Sequence, residues 1–167
     1  MSKGMGGHES HRMGKDEWLT PPWLMAALGE FDLDPCAPVN RPWDTARRHF
    51  TMDDDGLAQA WEGRVWCNPP YGTAAGQWLA RCSYHGNALA LVFARTETVV
   101  WQATVWGRAD AVLFLFGRVR FCHVDGTVAK GGGGAPSALV AYGKGNVEVL
   151  RRAVEAGQLR GRLVVLR

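Results

Sequence analysis

The run RVWCNPPYGTAAGQWLARCSYHGNALALVFA, residues 64–94, decides the architecture of this chain. Residues 64–67 read as a strand, and the two prolines that follow break it, because neither has an N–H to give a ladder. From 74 to 84, Trp78, Leu79 and Cys82 recur on one face of a helix. Residues 88–93 are an unbroken apolar run of strand length. Strand, turn, helix and strand in this order form a βαβ unit, whose helical crossover makes the two strands parallel.

The pattern extends both ways. Upstream, Thr20 fits the N-cap of a helix reaching Leu28, with Pro21 in its first turn and Gly29 at its exit. Residues 31–34 read as a short strand stopped by Pro35, and residues 36–55 as a long loop broken by Pro38, Asn40 and Pro42. Asp53-Asp54-Asp55-Gly56 is an acidic turn. Downstream come a helix at 96–106, a strand at 111–116 prolonged through 118–121, and a glycine loop at 131–134. A strand at 137–142, a helix at 147–156 and a strand at 162–166 complete the chain. The alternation predicts one α/β, Rossmann-like domain over residues 16–167. Its sheet is expected to be mostly parallel. Residues 1–15, which include His8 and His11, read as a flexible tail.

The 167 residues, 47% hydrophobic and 21% charged, suit a single globular domain. No apolar run approaches the roughly 20 residues of a membrane span, and the N-terminus lacks a signal-peptide core, so the expected compartment is the cytoplasm. Cys36, Cys67, Cys82 and Cys122 form no C-x-x-C pair, so neither zinc nor a disulfide framework is expected. The net charge of +3 hides an asymmetry: residues 1–100 carry −3 and residues 101–167 carry +6. That division suits an acidic side for a cationic or hydroxylated ligand and a basic side for an anionic polymer, or simply surface solubility. Eight tryptophans add potential stacking surface.

Asn68-Pro69-Pro70-Tyr71 would arise by composition alone with a chance of about one in two thousand. It stands directly after a strand, where open α/β sheets bind their ligands. The prolines fix φ and leave a rigid turn that presents carbonyl oxygens, with an amide before it and an aromatic ring after it. Such a turn accepts hydrogen bonds from an –NH2 group while a flat ring lies on Tyr71. The plainer alternative is a turn that closes the strand with Tyr71 in the core.

At these residues the chain resembles the phage-type DNA N6-adenine methyltransferases, which use S-adenosyl-L-methionine. The likeness rests on Asp16-Glu17-Trp18-x-Thr20-Pro21, Phe31-Asp32-Leu33-Asp34-Pro35-Cys36-Ala37, Asp55-Gly56-Leu57-Ala58 and Trp66-x-Asn68-Pro69-Pro70-Tyr71-Gly72. It continues at Ala94-Arg95-Thr96-Glu97-Thr98, Gly117-Arg118-Val119-Arg120-Phe121 and Ala135-Pro136-Ser137-Ala138. The resemblance implies a Rossmann-like methyltransferase domain with an antiparallel strand near the C-terminus and no separate target-recognition domain, acting on double-stranded DNA, on an adenine flipped out of the duplex. Asn68, Pro69, Pro70 and Tyr71 would hold that base, with the Asn68 oxygen and Pro69 carbonyl accepting the N6 protons. Thr20, Pro21, Asp34, Pro35, Cys36 and Ala37 would contribute to the cofactor pocket, and Asp53 and Asp55 would accept from its hydroxyls or amine.

Asp34 before proline is equally a turn former, and the Asp53–Asp55 triplet equally a helix cap. The glycine-rich loop usual after the first strand is absent, and Pro38 stands where a glycine would let the backbone approach. Arg95, Arg118, Arg120 and Lys130 are the candidate DNA contacts; singly, each also reads as an ordinary surface cation. Further contacts would come from a second subunit in a homodimer or from another chain. Two rival readings stand: methylation of another planar nitrogen (cytosine N4, an RNA base or a glutamine amide), and a non-catalytic nucleic-acid-binding module.

Overall fold

The computed structural model describes residues 17–167, so the expected tail, with His8 and His11, lies outside the described residues. The chain forms α1 (Pro22–Leu28), β1 (Leu33–Asp34), β2 (Arg48–His49), β3 (Val65–Cys67), α2 (Ala75–His85) and β4 (Ala88–Phe93). It continues with α3 (Val99–Trp101), which runs into a π-helical turn at Gln102–Trp106, then β5 (Ala111–Leu115) and β6 (Ser137–Tyr142). α4 (Lys144–Glu155) and β7 (Gly161–Val165) close the fold. The strands make a single seven-stranded sheet in the order β2-β1-β3-β4-β6-β5-β7.

The sheet is mixed: β1 to β5 run one way, as expected of a mostly parallel sheet, but two strands near the C-terminus, β6 and β7, run against them where one was expected. β1, β2, β3 and β4 pair in parallel, but β6 is antiparallel to both β4 and β5, and β7 is antiparallel to β5. The longest ladders, β4 with β6 and β5 with β7, are therefore antiparallel. The cause lies between β5 and β6. Residues 116–136 contain no helix to carry a parallel crossover, so the chain returns antiparallel and inserts between β4 and β5.

Both faces are covered, which is why β4 and β6 are buried at every residue. Ala88, Ala90 and Val92 face α2 and α3 through Trp78, Leu79, Cys82 and Trp101. Leu89 and Leu91 face α1 and α4 through Leu24, Leu28, Val147 and Leu150.

Other expectations are revised. Thr20 does not cap α1; Pro21 holds that position with no side-chain bond. The loop at 36–55 contains β2, which pairs with β1. Residues 118–121 do not prolong β5, although Val119 and Phe121 are buried. The helix expected from 96 begins at Val99, where the Thr98 hydroxyl accepts from the Trp101 N–H at 3.2 Å.

Candidate active site

From β1 the chain moves outward to β2 and then returns to the other side of β1 as β3. The carboxyl ends of β1 and β3 therefore flank the point where the strand order reverses, the usual crevice of an open α/β sheet. Asp34-Pro35-Cys36 leaves one of those ends and Asn68-Pro69-Pro70-Tyr71 the other. The Cys36 thiol joins them, donating to the Asn68 carbonyl at 3.4 Å, with its sulfur 3.8 Å from that of Cys67.

Asn68 is half-buried, and its Nδ2 donates to the Trp18 carbonyl at 3.4 Å. That bond turns Oδ1 the other way, where it is buried with no partner. A buried acceptor left unpaired costs about 1–3 kcal/mol, so an incoming donor would be bound with that penalty relieved. Pro69 is buried and Pro70 exposed. The Tyr71 ring stacks on Phe93 at the end of β4, with centroids 4.3 Å apart and planes 12° from parallel, and meets the edge of Phe121 at 6.0 Å. Burial pushes the Tyr71 phenol well above its ordinary pKa, so it stays protonated.

Tyr71 and Phe93 together line two clefts. One, of about 170 Å³, is walled by Pro69, Gly76, Arg95, Thr98 and Trp101. The other, of about 60 Å³, is lined by Trp18, Phe121, Ala129 and the glycines 131–134. Sequence reasoning missed Phe93 and Trp18 as site residues. Phe93 ends an apolar run and carries no local signal that distinguishes it from core.

Of the expected cofactor residues, Asp34, Pro35, Cys36 and Ala37 leave the β1 end and Asp53 and Asp55 flank it through Gly56, while Thr20 and Pro21 lie on the segment that bridges to Cys122; neither cleft is lined by any of them. Asp34 is buried; it accepts from the Cys36 N–H at 3.1 Å and from the Thr45 hydroxyl at 2.5 Å. Burial raises its pKa to about 6, against the opposing pull of those bonds and of Arg41. Over residues 35–38 the chain has no N–H to offer a ligand. Pro35 and Pro38 have none, that of Cys36 goes to Asp34, and that of Ala37 goes to the Phe50 carbonyl at 2.9 Å.

Asp54 accepts from the Thr51 N–H and hydroxyl, at 2.8 and 3.0 Å, and Asp53, Asp54 and Asp55 are all exposed. Their turn is drawn onto the β1 loop by Gly56, where an added Cβ would lie 1.9 Å from the Pro35 carbonyl oxygen. The Trp61 indole N–H, donating to the Gly56 carbonyl at 2.8 Å, anchors it there. Thr20 and Pro21 are buried beside Leu19, which bridges to Cys122, and the Thr20 hydroxyl has no partner.

The candidate DNA contacts lie on the far side of the turn. Arg95 follows β4 and lines the larger cleft. Arg118, Arg120 and Lys130 are exposed, and Arg118 donates to the Gly133 carbonyl at 3.4 Å, which places it on the glycine loop. Among the described residues no cluster of side chains suits a metal ion, and no helix is long and apolar enough to cross a membrane.

An α/β sheet whose switch point holds a proline-fixed turn, an unpaired amide acceptor and an aromatic wall defines a domain equipped to handle a planar amino group. The family comparison gives that class its identity. The family model described as DNA N-6-adenine-methyltransferase (Dam) matches residues 8–153, and the chain belongs to that family. Membership implies that it is a DNA adenine methyltransferase with DNA as its substrate. No curated protein and no solved structure matches it.

Proposed function

We propose that the chain methylates the exocyclic N6 of an adenine extruded from double-stranded DNA, with S-adenosyl-L-methionine as donor. The observation that carries this reading is the buried, unpartnered Asn68 Oδ1 at the switch point. An adenine amino group placed there donates one hydrogen bond to Asn68 Oδ1 and the other to the Pro69 carbonyl; as the N–CH3 bond forms the S–CH3 bond breaks, and one N6 proton then leaves to solvent. Both hydrogen bonds draw the nitrogen lone pair out of the ring, and Tyr71 keeps the base flat against its face. Trp18, through Asn68 Nδ2, is the positioning residue that keeps the amide oxygen aimed. No covalent intermediate is needed, so positioning and electrostatics supply the rate.

The donor side fits as well. A strand end whose next four residues, 35–38, carry no free N–H is unsuited to phosphate, which glycine-rich loops bind through backbone amides. It suits a cofactor that presents a cation, hydroxyls and an amine. Asp34, Asp53 and Asp55 supply acceptors, Thr20 a free hydroxyl, and Pro21, Pro35, Cys36 and Ala37 the apolar frame. When bound, the cofactor supplies a methyl group carried on a sulfonium. Arg95, Arg118, Arg120 and Lys130 hold the duplex phosphates, and a homodimer would present a second set of these loops; sedimentation with and without duplex tests that.

Incubation with unmethylated duplex and S-adenosyl-L-methionine, followed by nucleoside mass spectrometry, tests the proposal. N6-methyladenine is expected, and Asn68→Ala should abolish turnover while leaving cofactor-induced thermal stabilisation intact. Methylcytosine, methylated RNA or methylated protein in its place would overturn the adenine assignment. DNA binding with neither product nor cofactor stabilisation would establish a binding module instead.

A further inference from the structure

We infer that Phe116 and Arg160 form a second contact site for the duplex, with the Phe116 ring as an apolar wedge against a base step and Arg160 on a phosphate. The inference rests on the proposed reading and extends it along the sheet. Phe116 directly follows β5 and is 71% exposed, an unusual position for a phenyl ring. Its N–H donates to the Arg160 carbonyl at 2.8 Å, and the Arg160 guanidinium lies 4.5 Å from its ring centroid. Among the described residues Arg160 pairs with no carboxylate, so its charge faces solvent.

The pair stands at the same edge of the sheet as the catalytic turn. β5 points the same way as β3 and β4, and β7 begins beside its end. Three strand spacings separate β3 from β5, roughly 14 Å, or about four nucleotides of one DNA strand. The interval holds Arg95, Arg118, Arg120 and Lys130. From residue 115 to 134 the sole carboxylate is Asp125, which is occupied by the Thr127 N–H and hydroxyl at 2.8 and 2.7 Å. A basic strip that leads from the base-binding turn to an exposed aromatic matches a duplex in sign and in spacing. Proteins that deform DNA use such rings as wedges between base steps.

The molecule contains its own control. Tyr84 is also 71% exposed and has Arg108 4.5 Å over its ring, but it lies near the end of α2, at the opposite edge of the sheet. Duplex binding by fluorescence anisotropy and steady-state methyl transfer are compared for wild type, Phe116→Ala, Phe116→Trp, Arg160→Gln and Tyr84→Ala. Phe116→Ala is expected to raise Kd and KM for duplex by about 5- to 150-fold, the loss of one base–aromatic stack, with kcat and salt slope unchanged. Phe116→Trp restores binding. Arg160→Gln lowers the salt slope by about one, and Tyr84→Ala binds as wild type does. Wild-type affinity in Phe116→Ala, or equal damage in Tyr84→Ala, overturns the wedge. A wild-type chain that neither binds nor methylates duplex overturns the underlying reading, and the wedge with it.

Discussion

Asp34 shows at the scale of one residue how this site is held. Its pKa in the fold, about 6, exceeds the ordinary 3.8 because burial penalises the charged form. The folded chain therefore binds that proton more tightly than the unfolded chain does. The resulting stabilisation is fully present below about pH 4 and is lost as pH rises through about 6, a cost to the neutral-pH fold of about 3 kcal/mol. Asp34→Asn keeps an acceptor for the Cys36 N–H and gains a donor for the Thr45 hydroxyl. It should raise the thermal midpoint at neutral pH, with the gain vanishing in acid, and weaken S-adenosyl-L-methionine binding in calorimetry. A variant no more stable at neutral pH would refute the burial account. In the proposed site Tyr71 acts through its ring rather than its hydroxyl. Tyr71→Phe should keep most activity, whereas Tyr71→Ala should lose stacking worth roughly 1–3 kcal/mol, read as KM for duplex.

Among the elements, the glycine loop before β6 is tied to the irregular segment that follows β5. A Cβ at Gly132 would lie 2.4 Å from that of Arg118, while at Gly131 and Gly134 it would meet open space. The Gly133 N–H also donates to the Val119 carbonyl at 2.8 Å. Gly132→Ala should therefore displace Arg118 and raise KM for DNA, and Gly131→Ala and Gly134→Ala should not; equal effects at all three would mean that the loop acts by flexibility alone. The elements also differ in how legible they were. Strands β4 and β6 follow the apolar runs residue for residue, because a strand buried on both faces needs no polar alternation. The two-residue β2 was hidden in a prolonged loop, since its pairing with β1 is not encoded by any local period. The π-helical turn was likewise unreadable; its Gly107 N–H reaches back to the Gln102 carbonyl at 3.0 Å, and the Tyr142 hydroxyl donates to Thr104 O at 3.0 Å.

Over the whole molecule, the charge division along the chain becomes a division in space. Beside β1 and β2 the acidic residues are partly answered, Glu30 and Asp32 by Arg47 and Glu62 by Arg48, whereas Arg118, Arg120, Lys130 and Arg160 stand exposed after β5 and before β7. With Arg95, Arg118, Arg120 and Lys130 on phosphates, log Kd against log salt should have a slope of about 3 to 4 in magnitude. Anisotropy titrations at several salt concentrations measure it. A slope near zero would remove this face from the DNA interface.

The sequence by itself determined the proline turn Asn68-Pro69-Pro70-Tyr71, the helices that flank it and the long buried strands, since proline stereochemistry and hydrophobic period act over a few residues. The tertiary structure alone decided where β6 inserts, which residues wall the clefts and what aims the Asn68 amide. Trp18 meets Asn68 across 50 residues of chain, and the Tyr71 ring is framed by Phe93 and Phe121. Such contacts depend on how distant segments pack around a shared core, and local sequence patterns carry no record of that packing.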